Sequence, residues 1–148
     1  MSCPPPEYET RLSVDKAMPY AGRNSRYFNI ARKTALCSMN TDYKHGAVLV
    51  KGGSVINTSS NKNRLASFGS RFCKDHDGIA TLHAELGAIL GIDRNITEGA
   101  TLYVARVGKD GGFRLSKPCS MCTAAMKYVG IKRVYWTINN ASCAMGKL

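Results

Sequence analysis

Two short stretches decide how this chain is expected to fold: TLHAEL at residues 81–86 and PCSMC at residues 118–122. Each stretch lies where a helix is predicted to begin, at about His83 and at Cys119. Between them, residues 101–107 alternate in hydropathy, which is typical of a strand. The order helix, strand, helix indicates a layered α/β domain in which crossover helices connect parallel strands.

On the N-terminal side of these stretches, the spacing of apolar residues predicts a first helix capped by Ser25. A hairpin of two strands is predicted around the turn at residues 51–54. A long polar loop is expected over residues 61–79. Thr81 is expected to cap a second helix over residues 83–92. A short hairpin arm is predicted at 113–116, and a further helix begins at Cys119. The last predicted element is a fourth strand at 132–138.

Length and composition are those of one globular domain. The chain has 148 residues, of which 44% are hydrophobic and 21% charged, so it can bury a core. We expect an irregular, proline-containing arm over residues 1–20 and a single domain over residues 21–148. No apolar run is long enough for a membrane span and the first residues do not resemble a signal peptide, so we expect a soluble, cytoplasmic protein.

The charge of the chain indicates the kind of partner to expect. The formal net charge is +11, which favours phosphorylated or polyanionic partners through long-range attraction. A solvated, solubilising surface would have the same composition. The six cysteines are scattered except for the pair in PCSMC, which indicates reduced thiols rather than a disulfide framework.

Four residues have the types and spacing of a catalytic metal site. Zinc binds imidazole and thiolate in tetrahedral geometry, which suits His83 with Cys119 and Cys122 as metal ligands. The two cysteines are three positions apart, so both sulfurs point the same way from one helical turn. Three protein ligands leave a fourth position for water, whose pKa zinc lowers to roughly 7. Glu85 is then the catalytic residue that carries protons.

The combination of H-x-E with a later P-C-x-x-C is the signature of zinc deaminases. A C-x-x-C pair alone would also fit a redox site or half of a structural zinc site. A structural zinc would need a fourth protein ligand, for which Cys73, His76 and Cys143 are the candidates. A second, structural zinc at Cys73 and His76 is not expected, because two ligands are too few. His45 is interpreted as a packed or surface histidine.

These motifs carry a resemblance to a known family. TLHAEL, then TLYV at 101–104, PCSMC, and GIKRVY at 130–135 resemble the cytidine deaminase superfamily. More narrowly, the chain is similar to the branch that holds deoxycytidylate deaminases and tRNA adenosine deaminases. HGAVLV at 45–50 and Asn61 match this branch as well, and the resemblance covers roughly residues 26–138.

The resemblance implies a three-layer sandwich in which a mixed central sheet of four to five strands is flanked by helices. It also implies one catalytic zinc ion between the starts of the second and third helices, and Asn61 as a contact of the nucleoside sugar. The implied lining of the base pocket is Ala84 together with Ser116, Lys117 and Pro118. The basic loop, with Arg64 and Arg71, would take a phosphate group.

The end of the chain departs from the family pattern. Only ten residues follow Ile138, so we expect the fifth strand and last helix of the family to be short or missing. That would leave a sheet edge exposed, which dimerisation could cover. We therefore expect a homo-oligomer, a dimer or larger.

The resemblance and the residues together predict a hydrolase that acts on the C–N bond of a cyclic amidine. The leading hypothesis is the conversion of cytosine to uracil in a free (deoxy)cytidine nucleotide, deoxycytidylate-like, with zinc-bound hydroxide as nucleophile and Glu85 as proton shuttle. The alternative is deamination of cytosine or adenine within RNA or single-stranded DNA, because PCSMCTAAM is closer to tRNA adenosine deaminases. A third hypothesis is a non-catalytic zinc module, against which the intact Glu85 argues.

Overall fold

The computed structural model describes residues 13–14, 17–39, 43–65 and 81–148. In chain order the elements are β1 (Ser13–Val14), β2 (Met18–Pro19), α1 (Gly22–Leu36), β3 (Lys44–Lys51), β4 (Ser54–Ser60), β5 (Lys62–Leu65), β6 (Thr81–Leu82), α2 (Ala84–Ile89), α3 (Arg94–Thr97), β7 (Thr101–Val107), β8 (Phe113–Arg114), α4 (Ser120–Tyr128), β9 (Arg133–Thr137) and β10 (Ser142–Lys147). None of these helices has the length and apolar character needed to cross a membrane.

One mixed sheet organises these elements. Its strand order is β1-β10-β9-β7-β3-β4, with β2 paired to β10 and β8 paired to β7. Strand β3 is antiparallel to both β4 and β7, whereas β7 and β9 are parallel and are connected through α4. The predicted α/β class and mixed central sheet are confirmed. The sheet contains five longer strands, as the resemblance implied, and three strands of two residues each.

The alternation of β3 divides the core between the two faces of the sheet. Ala47 and Leu49 pack with α2 and α4 on one face. Val48 and Val50 pack on the other face with α1, whose Phe28 is 1% exposed. Helices therefore cover both faces, which gives the expected three layers. Because α2 and α4 lie on the same face, their N-terminal ends can meet.

The expectation that the fifth strand is short or missing is wrong. Residues 142–147 form β10, which pairs antiparallel with β9 from Cys143↔Thr137 to Lys147↔Arg133. The outer edge of β10 is not open, because β1 and β2 both pair with it. The exposed edge predicted as a dimer interface is therefore covered within the chain. The sequence did not indicate this pairing, because β1 has only two residues and lies at the opposite end of the chain from β10.

Two predicted helix starts are also corrected. Helix α1 begins at Gly22, and Ser25 lies in its first turn with its N–H bonded to the carbonyl of Ala21. Thr81 does not cap a helix but belongs to β6, which pairs with β5 in the segment predicted as a loop. That pairing keeps the backbone extended through Leu82, so α2 begins only at Ala84 and ends at Ile89.

Candidate metal centre

Two helix N-termini bring the predicted metal ligands together. His83 is the N-cap residue of α2, and Cys119 is the N-cap residue of α4. Cys122 lies in the first turn of α4, and its N–H donates to Sγ of Cys119 over 3.5 Å. A helix N-terminus stabilises negative charge, so α4 favours the thiolate form of Cys119 at its N-cap position.

The three ligand atoms have the spacing that a zinc ion requires. Nδ1 of His83 lies 3.2 Å from Sγ of Cys122 and 3.8 Å from Sγ of Cys119, and all three atoms lie within 4.8 Å of one another. Tetrahedral coordination at usual Zn–N and Zn–S lengths places such nitrogen and sulfur atoms about 3.6 Å apart. The donor set and its spacing therefore fit one Zn²⁺ ion.

No fourth protein ligand joins this group within the described ranges. The cluster of potential ligands consists of His83, Cys119 and Cys122 alone. Cys143, a candidate for the fourth ligand, is buried in the core on the α1 side of the sheet. Cys73 and His76, the other two candidates, lie outside the described residues. An arrangement of three ligands is typical of catalytic rather than structural zinc.

The two cysteines differ in their affinity for protons. The pKa of Cys119 is lowered to about 4, because its sulfur accepts hydrogen bonds from the Cys122 thiol and from His83. The same contact raises the pKa of the Cys122 thiol, which acts as the donor and is fully buried. The hydrogen bond with Cys119 also raises the pKa of His83. Cys119 therefore gives up its proton more readily than Cys122, and binding a cation would release the protons that remain on the group.

Glu85 is a buried acid beside this cluster. It is 6% exposed, and the interaction of its carboxyl group with the Cys122 thiol raises the pKa of that thiol. Burial raises the pKa of Glu85, while the positive charge of His83 opposes that rise. A carboxyl group with a raised pKa next to a metal site is suited to accept a proton and pass it on.

His45 also interacts electrostatically with residues of the metal centre, although the sequence indicated only a packed or surface histidine. It lies in β3 and is partly buried. Its pKa is lowered to about 4, mainly by burial and in smaller part by the charges of Arg106 and His83, whereas Cys119 opposes this shift. His45 is therefore neutral near pH 7. Its imidazole interacts electrostatically with His83 and Cys119 of the cluster.

Arg106 is a residue that sequence reasoning missed. It lies opposite His45 in the pairing of β7 with β3. Its guanidinium carbon is 4.9 Å from the centre of the Tyr43 ring, and its buried Nε has no hydrogen-bond partner in the described part of the chain. A single arginine at the end of a strand has no motif around it, so no signal in the sequence identifies it.

The residues expected to contact substrate are placed as follows. The Asn61 side chain donates to the carbonyl of Tyr43 over 2.7 Å and accepts from the N–H of His45 over 3.0 Å, so it fixes the start of β3. Ala84 is buried at the first position of α2, next to His83. Arg64 lies in β5, with its side chain not described, and Arg71 lies outside the described residues.

The segment before Cys119 is held by side-chain hydrogen bonds. The buried Ser116 hydroxyl donates to the carbonyl of Val104 over 2.9 Å and accepts from the N–H of Thr137. Lys117 is exposed and Pro118 is buried. Ser116 therefore anchors the approach to the cysteine pair, while Lys117 points its charge toward solvent.

Comparison with known proteins agrees with this geometry. A family model described as the cytidine and deoxycytidylate deaminase zinc-binding region matches residues 22–138. This match includes His83, Glu85 and both cysteines of the candidate centre. No curated protein matches the chain.

Proposed function

The chain belongs to the cytidine and deoxycytidylate deaminase zinc-binding family, and from this premise we propose that it converts cytosine to uracil in a free (deoxy)cytidine nucleotide. The coarser activity, zinc-dependent hydrolytic deamination, follows from the family and from the His/Cys/Cys group that can hold the metal. The substrate of this family is a nucleotide or a nucleic acid. The observation that carries the proposal is the buried carboxyl group of Glu85, two residues after His83, which interacts electrostatically with this three-ligand cluster.

The residues of the centre have separate parts in the reaction. His83, Cys119 and Cys122 would hold the zinc ion, which supplies the acidification of water that makes attack on the ring possible at neutral pH. Glu85 takes one proton of that water and passes it to a ring nitrogen, and then carries the second proton, from the oxygen added to the ring, to the departing amine. Water and cytosine are consumed, and uracil and ammonia are formed.

Several features of the chain support a free nucleotide as the substrate. The sequence HAELGAIL at 83–90 resembles that of nucleotide deaminases. Lys117, which is exposed and two residues before Cys119, offers a cation that can attract a phosphate group near the metal centre. We propose that Lys117 contributes to phosphate binding, with Arg64 and Arg71 as further candidates. Asn61 and the backbone of Ala84, Ser116 and Pro118 would contact the nucleoside.

A second candidate is deamination of cytosine or adenine within RNA or single-stranded DNA. The sequence PCSMCTAAM at 118–126 and the net charge of +11 favour it. A base that is flipped out of a strand could enter the same pocket.

Ammonia release distinguishes the candidates when dCMP, deoxycytidine, single-stranded DNA and tRNA are compared under one condition. We expect turnover of dCMP. Activity on polynucleotides alone would contradict the free-nucleotide proposal and favour deamination within RNA or single-stranded DNA. Replacing Lys117 with Gln should raise KM for dCMP more than for deoxycytidine, because only dCMP carries the phosphate. An equal effect on both substrates would contradict the role of Lys117.

Glu85→Ala tests the proton shuttle. We expect the rate to fall by a factor of about 10² to 10⁴ while the zinc content is unchanged, because Glu85 is not one of the three ligands. Glu98→Gln is the matched control, since Glu98 is an exposed acid that lies outside the cluster. Full activity of Glu85→Ala would rule out the assigned role.

A further inference from the structure

A second concave site lies away from the metal centre. It is a cleft of about 340 Å³, within the usual size range of small-molecule sites. It is lined by residues of α1, by the turn at Gly52 and Gly53, and by the first residues of β7 and β9, Thr101 and Arg133. The metal centre, in contrast, lies where α4 begins, after the other end of β7. The cleft is therefore at the opposite end of the sheet, on the α1 face.

A row of tyrosines forms one wall of this cleft. The rings of Tyr103 and Tyr135 are stacked with centroids 4.7 Å apart, and the ring of Tyr27 lies 5.0 Å from that of Tyr103. Two of the hydroxyl groups are already used: Tyr27 donates to the carbonyl of Gly53, and Tyr103 donates to Oδ1 of Asn24. These bonds fix the wall, and the hydroxyl of Tyr135 has no partner among the described residues.

Two arginines supply positive charge to the same cleft. Arg133 comes from β9 and Arg23 from α1, and neither forms an ion pair in the described part of the chain. Nε of Arg133 is buried without a hydrogen-bond acceptor. No aspartate or glutamate is among the lining residues. A buried donor without an acceptor is costly, and an anion bound in the cleft would provide the acceptor.

We propose that this cleft binds the phosphate group of a nucleotide, either free or within a strand. Guanidinium groups pair with phosphate oxygens through two parallel hydrogen bonds, which a phosphate between Arg23 and Arg133 could accept. The hydroxyl of Tyr135 provides a further donor. The partly exposed ring of Tyr135, which stacks on the buried Tyr103, gives the sugar or base an aromatic surface. This site is separate from the metal centre and does not depend on which substrate is deaminated.

Thymine-containing probes test the site without turnover, because thymine has no amino group to lose. Binding of dTMP and of an oligothymidylate strand is measured by calorimetry for the wild type and for the double variant Arg23→Gln/Arg133→Gln. The control is Lys33→Gln/Lys127→Gln, which removes the same charge from exposed positions outside the cleft. For each probe that binds, NMR spectra of the wild type locate the site. The amide signals of Gly52 and Gly53, which line the cleft, should shift.

We expect the arginine double variant to bind at least one probe about tenfold more weakly, and the lysine control to change by less than about threefold. Binding of both probes assigns a nucleotide that is recognised free or in a strand, and binding of the strand alone assigns a nucleic-acid backbone. Equal weakening in both double variants would overturn the proposal, because it would mean diffuse charge attraction. Failure of both probes to bind would overturn it too.

The integrity of the variants is checked by the deamination rate and zinc content, which the proposal expects to be unchanged. If the double variant does not fold, Arg23→Gln alone serves, since Arg23 is exposed and its replacement leaves the core intact. It should weaken binding about threefold or more. Loss of deamination without loss of probe binding would count against the proposed function, not against this site.

Discussion

The hydroxyl groups of Ser116 and Thr137 lie 2.8 Å apart, and both residues are buried. Thr137 also donates from its hydroxyl to the carbonyl of Arg114 over 2.6 Å. These bonds join the segment that leads to the first cysteine ligand to the end of β9. The position of Cys119 thus depends on a polar contact between two distant parts of the chain.

Ser116→Ala should reduce the free energy of unfolding by about 1 to 3 kcal/mol, because the N–H of Thr137 loses its buried acceptor. Urea unfolding measures the change. Ser54→Ala, at an exposed position at the start of β4, is the control and should have little effect. Equal stability of the two variants would show that the buried contact is not important for the fold.

Gly46→Ala should be far more damaging. A Cβ atom at this position would lie 2.1 Å from the carbonyl oxygen of Ala31 and 2.6 Å from the N of Ala35. Because both are backbone atoms of α1, the helix would have to move away from β3, at a cost of about 3 kcal/mol or more. Chemical unfolding and the yield of folded protein measure this.

Gly108→Ala is the matched control for Gly46→Ala. Its new Cβ would meet only the guanidinium end of Arg114, which is flexible. We expect a small loss of stability. If both glycine variants behaved alike, the close approach of α1 to β3 would not be the cause.

The low pKa of His45 should make stability depend on pH. Burial lowers this pKa to about 4 in the folded chain, whereas an unfolded histidine titrates near 6.5. The unfolded chain therefore binds more protons between these values, and stability rises with pH there. The contribution of His45 is fully present above pH 6.5 and is lost as the pH falls toward 4, by on the order of 2 kcal/mol.

His45→Gln isolates this contribution. Unfolding is measured between pH 7 and pH 4 for the wild type and the variant, and the variant should lose less stability over that interval. Other titrating groups that do not interact with His45 affect both proteins equally and cancel in the comparison. Parallel stability curves would contradict the lowered pKa.

Two buried cysteines provide a test of the metal centre. Cys122→Ser should lower the zinc content well below one ion per chain, because serine is a poor replacement for a thiolate ligand. Cys143→Ser should leave it unchanged, since Cys143 lies in the core on the other face. Elemental analysis of purified protein measures both. Retention of zinc by Cys122→Ser would exclude the proposed ligand set.

The sequence alone determined the features that depend on local spacing. H-x-E at 83–85 and P-C-x-x-C at 118–122 predict metal ligands, because a helical turn fixes the direction of side chains a few positions apart. The hairpin of β3 and β4 was also predictable, since its turn contains two adjacent glycines. The α/β class followed from the order of these elements.

The tertiary structure decided the features that join distant residues. The pairing of β10 with β1 and β2 covers an edge that the sequence left open. Thr81 forms a strand instead of a cap because β5 provides a partner. The contact of Ser116 with Thr137, the position of Arg106 beside His45, and the cleft of Arg23 and Arg133 arise in the same way. In each case the decisive energy comes from packing or hydrogen bonding between segments far apart in the chain, which no local pattern encodes.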